Sequence, residues 1–135
     1  MNVFPLNVAY LHLHWEEIAK YLKPALELGG VEEFTLDQMK VYIANGSWTL
    51  FVAEKDKKLN GCAVVTFANY PNDRIAFVTA IGGKFISSRE TSDKFKALLK
   101  SMGATKIQGY ARESVARLWK RIGFTNKQIL VEFKL

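Results

Sequence analysis

Between residues 47 and 83 the chain holds three successive runs rich in β-branched and aromatic residues, SWTLFVAEK, GCAVVTFANY and RIAFVTAIGG, separated only by DKKLN and PND. Those separators carry turn chemistry, and they are far too short for the crossover that a parallel pair needs. The three runs therefore pair as an antiparallel meander. A sheet of that kind must bury at least one face, so the flanking segments have to supply the covering layers.

The flanks have the right periods. VFPL (3–6) reads as a short edge strand, where Pro5 is tolerated because an edge leaves some amides unpaired. HWEEIAKYLKPALELGG (14–30) places Trp15, Ile18, Leu22 and Ala25 on one helical face and stops at Gly29 and Gly30. TLDQMKVYIANG opens with Thr35 and carries Gln38 three residues later, the signature of a capping box. TSDKFKALLKSMG (91–103) returns to helical spacing, with Ser92 as N-cap and Gly103 as stop. TKIQGYA (105–111) reads as a strand, SVARLWKRIGF (114–124) as a helix and KQILVEFKL (127–135) as a closing strand. The expected order is β-α-α-β-β-β-α-β-α-β: an α/β chain of the α+β type with a mixed sheet, folding as a single domain over 1–135.

Composition agrees with a globule. At 135 residues, 49% hydrophobic and 24% charged, the chain is too apolar for disorder, and no run reaches the roughly 18 apolar residues of a membrane span. The N-terminus lacks the basic start, apolar run and cleavage site of a leader, so the expectation is a cytoplasmic protein that does not enter a membrane. One cysteine, Cys62, excludes an internal disulfide, and two histidines make no metal cluster of usual spacing. The formal charge of +6 is concentrated after residue 84 and suits an anionic partner: a phosphorylated cofactor, a nucleic acid or an acidic protein face. The basic half carries no stacking motif or docking element for nucleic acid, which leaves the other two.

In SVARLWKRIGF, Val115, Leu118, Trp119 and Ile122 form an apolar stripe and Gly123 ends the helix. With the meander, the crossover helix and this terminal Gly-Phe, the whole succession resembles the GCN5-related N-acetyltransferase superfamily over nearly the full chain. The resemblance implies a three-layer fold, acetyl-CoA as cofactor and an amine, on a small molecule or a protein, as acyl acceptor. It also implies an anion site after the fourth strand, where backbone amides at a helix start hold the pyrophosphate. On this chain that segment runs through Ile81 and Gly82 to SSRETS, so Ile81, Gly82, Ser87, Ser88, Arg89, Thr91 and Ser92 are the candidate cofactor-binding residues. The family's glycine-rich loop is not found there.

The superfamily often ends on Asn-x-x-Ala-x-x-Leu-Tyr-x-x-x-Gly-Phe, whose tyrosine protonates the departing thiolate. Here Arg112, Val115, Leu118, Trp119, Gly123 and Phe124 occupy those positions. An indole N–H is too weak an acid for the tyrosine's task, so Tyr110, at the end of the preceding strand, is the candidate donor. Glu54 is the candidate general base, with Asp73, Glu32, Glu33, His12 and His14 as weaker alternatives. The missing glycine loop, together with FTLDQMKVYIANGSWTLFVAE and AVVTFANYPNDRIAFVTAIGG, is similar to short acetyltransferase-like proteins of tailed bacteriophages and prophages. That similarity implies an alternative: a non-catalytic module binding a host or virion protein, located in the host cytoplasm or the virion.

Overall fold

The computed structural model describes residues 1–85 and 88–135. A five-stranded sheet has the order β1-β2-β3-β4-β5, formed by β1 (Asn2–Pro5), β2 (Thr49–Lys55), β3 (Lys58–Asn69), β4 (Arg74–Gly83) and β5 (Lys106–Gly109). The meander β2-β3-β4 and the edge strand β1 pair antiparallel, and β4 with β5 pairs parallel. Helices α1 (Leu11–Leu28) and α2 (Leu36–Ala44) cover one face; α3 (Arg89–Ser101) covers the other, with α4 (Glu113–Lys120) beside it.

Two apolar clusters fill the spaces between these layers. Ile18, Leu22 and Leu26 of α1 and Met39 and Ile43 of α2 pack on Leu50, Val52, Cys62 and Val64. On the opposite face, Phe95 and Leu99 of α3 pack on Phe51, Ala63, Val65 and Val78, and Phe95 meets Phe51 and Phe85 edge to face. The alternation along β2 and β3 thus sends successive side chains to the two clusters, as a sheet covered on both faces requires.

Local chemistry sets the helix ends. The Thr35 hydroxyl accepts from the Gln38 N–H while the Gln38 side chain accepts from the Thr35 N–H, so the expected capping box forms. Helix α1 begins earlier than the spacing of 14–30 predicts, because the Asn7 side chain caps a 3₁₀ turn over Val8–Tyr10 that runs directly into Leu11. Helix α3 also begins earlier: its N-cap is Ser88, whose hydroxyl accepts from the Thr91 N–H, and Ser92 lies inside the helix. The causes differ: SSRETS offers several hydroxyls and Ser88 takes the cap of α3, whereas Asn7 is the one Asn, Ser or Thr between residues 3 and 34 and the turn it caps carries the start of α1 back to Leu11.

One expected element is not present. Residues 125–135 form no strand, so KQILVEFKL does not extend the sheet and β5 is its last member. Strand periodicity is a local property of the sequence, whereas a strand exists only through pairing with a partner that the local pattern does not name. No helix among the described residues is long and apolar enough to cross a membrane.

The parallel pair is clamped at its beginning. The Thr105 N–H donates to the Arg74 carbonyl (2.8 Å), the Arg74 N–H donates to the Thr105 hydroxyl, and that hydroxyl donates to Asp73 (2.9 Å). Lys106 closes the set with an ion pair to Asp73 at 2.9 Å. The Arg74 guanidinium donates to the Met102 carbonyl and to Asn69, and lies 4.3 Å from the centre of the Phe67 ring. The bonds from Lys106 and Thr105 hold the Asp73 carboxyl below the ordinary carboxylate range. A depressed folded-state pKa contributes stability above the unfolded value of about 3.9 and loses it as the pH falls through the lower folded value. Urea midpoints of the wild type and Asp73→Asn should therefore differ at neutral pH and converge in acid; a gap independent of pH would show that the carboxylate charge plays no part.

Candidate functional site

From the clamp upward, β4 and β5 stay paired through Ile75–Lys106, Ala76–Ile107, Phe77–Gln108 and Val78–Gly109. There the pairing ends. β4 continues to Gly83, still bonded to β3, while the chain beyond Gly109 turns away through Tyr110 into α4. The two parallel strands thus part at their C-terminal ends, which in open α/β sheets is the end that carries ligand crevices.

A bulge marks the same level of β4. Val64 pairs with Ala80 and Val65 with Val78, leaving Thr79 as the extra residue. Its hydroxyl donates to the Val64 carbonyl at 3.0 Å. The bulge resets the alternation: Ala76 and Val78 face α3, but Ala80 joins the cluster under α1 and Ile81 returns to the α3 side. No residue type in RIAFVTAIGG signals this.

The candidate cofactor residues fall into three groups. Ile81 is half-buried against the α3-side cluster, and Gly82 is the point where α1 touches the sheet, since a Cβ there would lie 2.2 Å from the Tyr21 carbonyl oxygen. Ser88 and Arg89 are exposed at the start of α3, with the Ser88 hydroxyl engaged by Thr91 and the Arg89 guanidinium donating to the Arg121 carbonyl at 3.3 Å. Thr91 and Ser92 are buried in the first turn of α3, facing the interior. Ser87 lies outside the described residues. Beside the exposed pair, Glu90 forms an ion pair with Lys94, and that bond holds its carboxyl below the usual range, so it stays ionised where an anion would approach.

The candidate acid and base are not brought together. Tyr110 is exposed one residue beyond the last β4–β5 pair, with its ring edge-on to Phe77 at 5.1 Å. Glu54 sits on β2, three strand spacings or about 14 Å across the sheet. It lines a separate hollow of about 320 Å³ with His14, Glu17, Lys57 and Lys58. A larger hollow, about 540 Å³, lies between β1 and α3. Of the alternative bases, Asp73 is committed to the clamp and His12 is exposed on the outer surface of α1. Cys62 is buried in the sheet, where burial pushes its thiol up to about 12 and leaves it a neutral packing residue.

Helix α4 is held by contacts that the sequence pattern did not single out. Lys96 of α3 donates to the Ile122 carbonyl and stands 5.5 Å from the Phe124 ring, so Arg89 and Lys96 together bond the carbonyl end of α4. Gly123 has φ +98°, its N–H donates to Lys120 and the Phe124 N–H to Trp119, which is a Schellman ending with its apolar contact: the Trp119 and Phe124 rings are 5.4 Å apart. The only available signal for Lys96 and Arg89 was their helical spacing of seven, which puts both on one side of α3.

No family model matches the chain, and no curated protein matches it in sequence. Solved structures match across its whole length. An aminoglycoside acetyltransferase from an uncultured soil metagenomic sample superposes with a TM-score of 0.71 at 10% identity, covering 99% of this chain and 94% of its own. The chain has an acetyltransferase fold. A predicted acetyltransferase from Clostridium acetobutylicum, solved with acetyl-CoA, gives 0.67 at 18% identity and covers 98% and 95% of the two chains. An aminoglycoside N-acetyltransferase solved in complex with CoA gives 0.67 at 14% identity and covers 99% and 98%. The expected three-layer α+β architecture is the one observed.

Proposed function

We propose that the protein is an acetyl-CoA-dependent N-acyltransferase-like protein with its coenzyme laid between the parted ends of β4 and β5. The observation that carries this reading is the parallel pair clamped at Asp73–Lys106 and open beyond Val78–Gly109, next to the start of α3. Such an opening leaves β4 from the Thr79 bulge to Ile81 without a β5 partner, and an extended chain of amides can bond there as a strand would. Acetyl-CoA bound there supplies an activated acyl thioester.

The chain's own residues divide the remaining work. The free amides at the start of α3, with Ser88 and Arg89, hold the pyrophosphate end by charge and hydrogen bonding. To do so Arg89 exchanges its bond to the Arg121 carbonyl for a stronger, charge-assisted one. Tyr110, at the mouth of the opening, presents a phenol that can give a proton to a departing thiolate. Glu54 is too far across the sheet to share a proton with it, so an amine acceptor loses its proton to water or to a base that the acceptor itself brings close.

Calorimetry with acetyl-CoA and with CoA tests the site. Binding tighter than about 1 mM is expected, and Arg89→Glu should weaken it by about 1 to 3 kcal/mol, with unfolding of the ligand-free variant measured alongside because the substitution also removes the bond to the Arg121 carbonyl. Absence of heat at several millimolar ligand would refute the reading. Tyr110→Phe should leave coenzyme affinity unchanged and lower turnover.

A second reading is favoured by Trp119. It occupies the place where the superfamily pattern has its tyrosine, and it is buried and carries no acidic hydroxyl. On that reading the fold is kept without transfer, as a module that binds a host or virion protein. Coenzyme binding without acyl transfer to any amine tried would favour it.

A further inference from the structure

The hollow of about 320 Å³ at Glu54 lies on the α1 face of the sheet, at its β1 edge and away from the parted strands. Register builds its floor. Phe4 pairs with Val52, and Glu54 lies two residues along β2 from Val52, so both point to the α1 side where Val52 is buried. Leu59 reaches that side through a bulge: Ala53 pairs with Gly61 but Glu54 with Leu59, which leaves Asn60 as the extra residue and resets the alternation of β3. Leu6, whose N–H donates to the Leu50 carbonyl, joins Phe4 and Leu59 in an apolar floor beside the Glu54 carboxylate.

The walls are polar. Tyr10, His14 and Glu17, spaced by four and three along the start of α1, line the hollow in a stripe beside the buried Leu11, Ile18 and Leu22. Lys57 and Lys58 enter from the β2–β3 turn, whose central residues Asp56 and Lys57 have φ of 53° and 63°. Asp-Gly is a preferred pair for such a turn, so Lys57 stands in a position that favours glycine, and its side chain reaches the hollow. Carboxylates from α1 and β2 and ammonium groups from the turn thus share one small space. Among the described residues, none of Glu17, Glu54, Lys57 and Lys58 forms an ion pair.

We propose that this hollow binds a free α-amino acid with an apolar side chain, at a site separate from the coenzyme opening. The ammonium group lies at Glu17 and Glu54, the carboxylate at Lys57 and Lys58, and the side chain on Phe4, Leu6 and Leu59. A ligand of one sign satisfies half of these charges and drives water from the other half without compensation, whereas a zwitterion satisfies both. Size points the same way, since the volume is near the lower bound of roughly 300 Å³ for ligand sites and suits a molecule of a few carbons. The bound amine is not an acyl acceptor. Glu54 is on β2, two strand spacings or about 10 Å from β4, out of reach of an acyl group held between β4 and β5. The proposal therefore does not depend on the coenzyme, and its test is run without one.

Titration of L-leucine and L-phenylalanine into the isotope-labelled full chain, followed by its amide resonances, is the test. Saturable shifts are expected from at least one of them below about 5 mM, concentrated at residues 14–17 and 54–59. Isocaproate, which lacks the ammonium group of leucine, and isoamylamine, which lacks its carboxylate, should each bind about tenfold more weakly or worse. Glu54→Gln and Lys57→Gly should each weaken the amino acid by about tenfold. Lys57→Gly also relaxes the left-handed turn, so its thermal midpoint should equal or exceed that of the wild type, and lost binding cannot then be lost folding. Three results overturn the proposal: no saturable shift from either amino acid up to roughly 20 mM, shifts centred on residues 79–81 and 109–110 instead, or affinity that both variants leave unchanged. Equal binding of either single-charge analogue overturns it as well.

Discussion

Gly82→Ala should destabilise the protein by about 3 kcal/mol, more than most single methyl additions. A Cβ at this position would lie 2.2 Å from the Tyr21 carbonyl oxygen and 2.8 Å from its carbonyl carbon, and both are backbone atoms that cannot rotate away. Helix α1 cannot simply lift, because Ile18 and Leu22 are fully buried on either side of that contact and the Tyr21 hydroxyl donates to the Leu59 carbonyl at 2.9 Å. Burial, with the Glu17 carboxylate nearby, raises the Tyr21 pKa, so this bond keeps its proton throughout the neutral range. Relief has to come from moving the end of β4, where Gly83 at φ +69° pairs with Gly61 and the next N–H, of Lys84, donates to the Asn60 carbonyl at 2.9 Å. Urea unfolding measures the loss. A change under 1 kcal/mol would show that α1 and β4 separate easily. The same substitution should disturb the parted strands, since the end of β4 forms one wall of that opening.

Much of this architecture can be read in the residues themselves, and the exceptions have specific physical origins. The meander is legible because its turns are short and its runs are β-branched, and α2 because Thr35 and Gln38 form a reciprocal cap. The start of α3 is ambiguous because SSRETS offers several hydroxyls, and only the folded backbone decides that Ser88 takes the β conformation and Ser92 goes inside. The stripe on α4 is partly misread. At 100° per residue Leu118 lies about 60° from Val115, on the far side from Trp119. It is accordingly exposed, while Trp119 is buried and Val115 and Ile122 half-buried.

The site is less legible than the fold because its parts meet through sheet order. Nothing near Glu54 or Tyr110 states that β2 and β5 are three strands apart, and nothing near Thr79 announces the extra residue that turns Ala80 toward α1. Gly82 is legible as a candidate cofactor residue but not as a position whose side chain must be absent. Its reason, the Tyr21 backbone, is a contact between segments 61 positions apart in the chain. Arg89 illustrates the same limit, since a cation at a helix start suggests an anion, whereas its partner in the structure is the carbonyl end of another helix.

Trp119→Ala should cost roughly 3 to 5 kcal/mol, the usual range for emptying a buried aromatic site. Only 9% of Trp119 is exposed, its ring packs on Phe124, and its far edge comes within 3.9 Å of where a Cβ on Gly109 would stand. The indole therefore fills the space under the last β4–β5 pair and connects it to the Schellman ending of α4. Removing it leaves a cavity at the level where the strands part, and it also strips the apolar contact from the helix end that Arg89 and Lys96 bond. Trp119→Tyr, which keeps most of the ring, should lose well under half as much, and comparing the two by chemical denaturation separates volume from chemistry. A loss under 1 kcal/mol for the alanine variant would mean that the indole contributes little packing and that the position is free to meet a ligand. With the expected large loss, Trp119 is the support on which the opening rests, and any coenzyme affinity lost in the alanine variant should be recovered by Trp119→Tyr in proportion to the stability it restores.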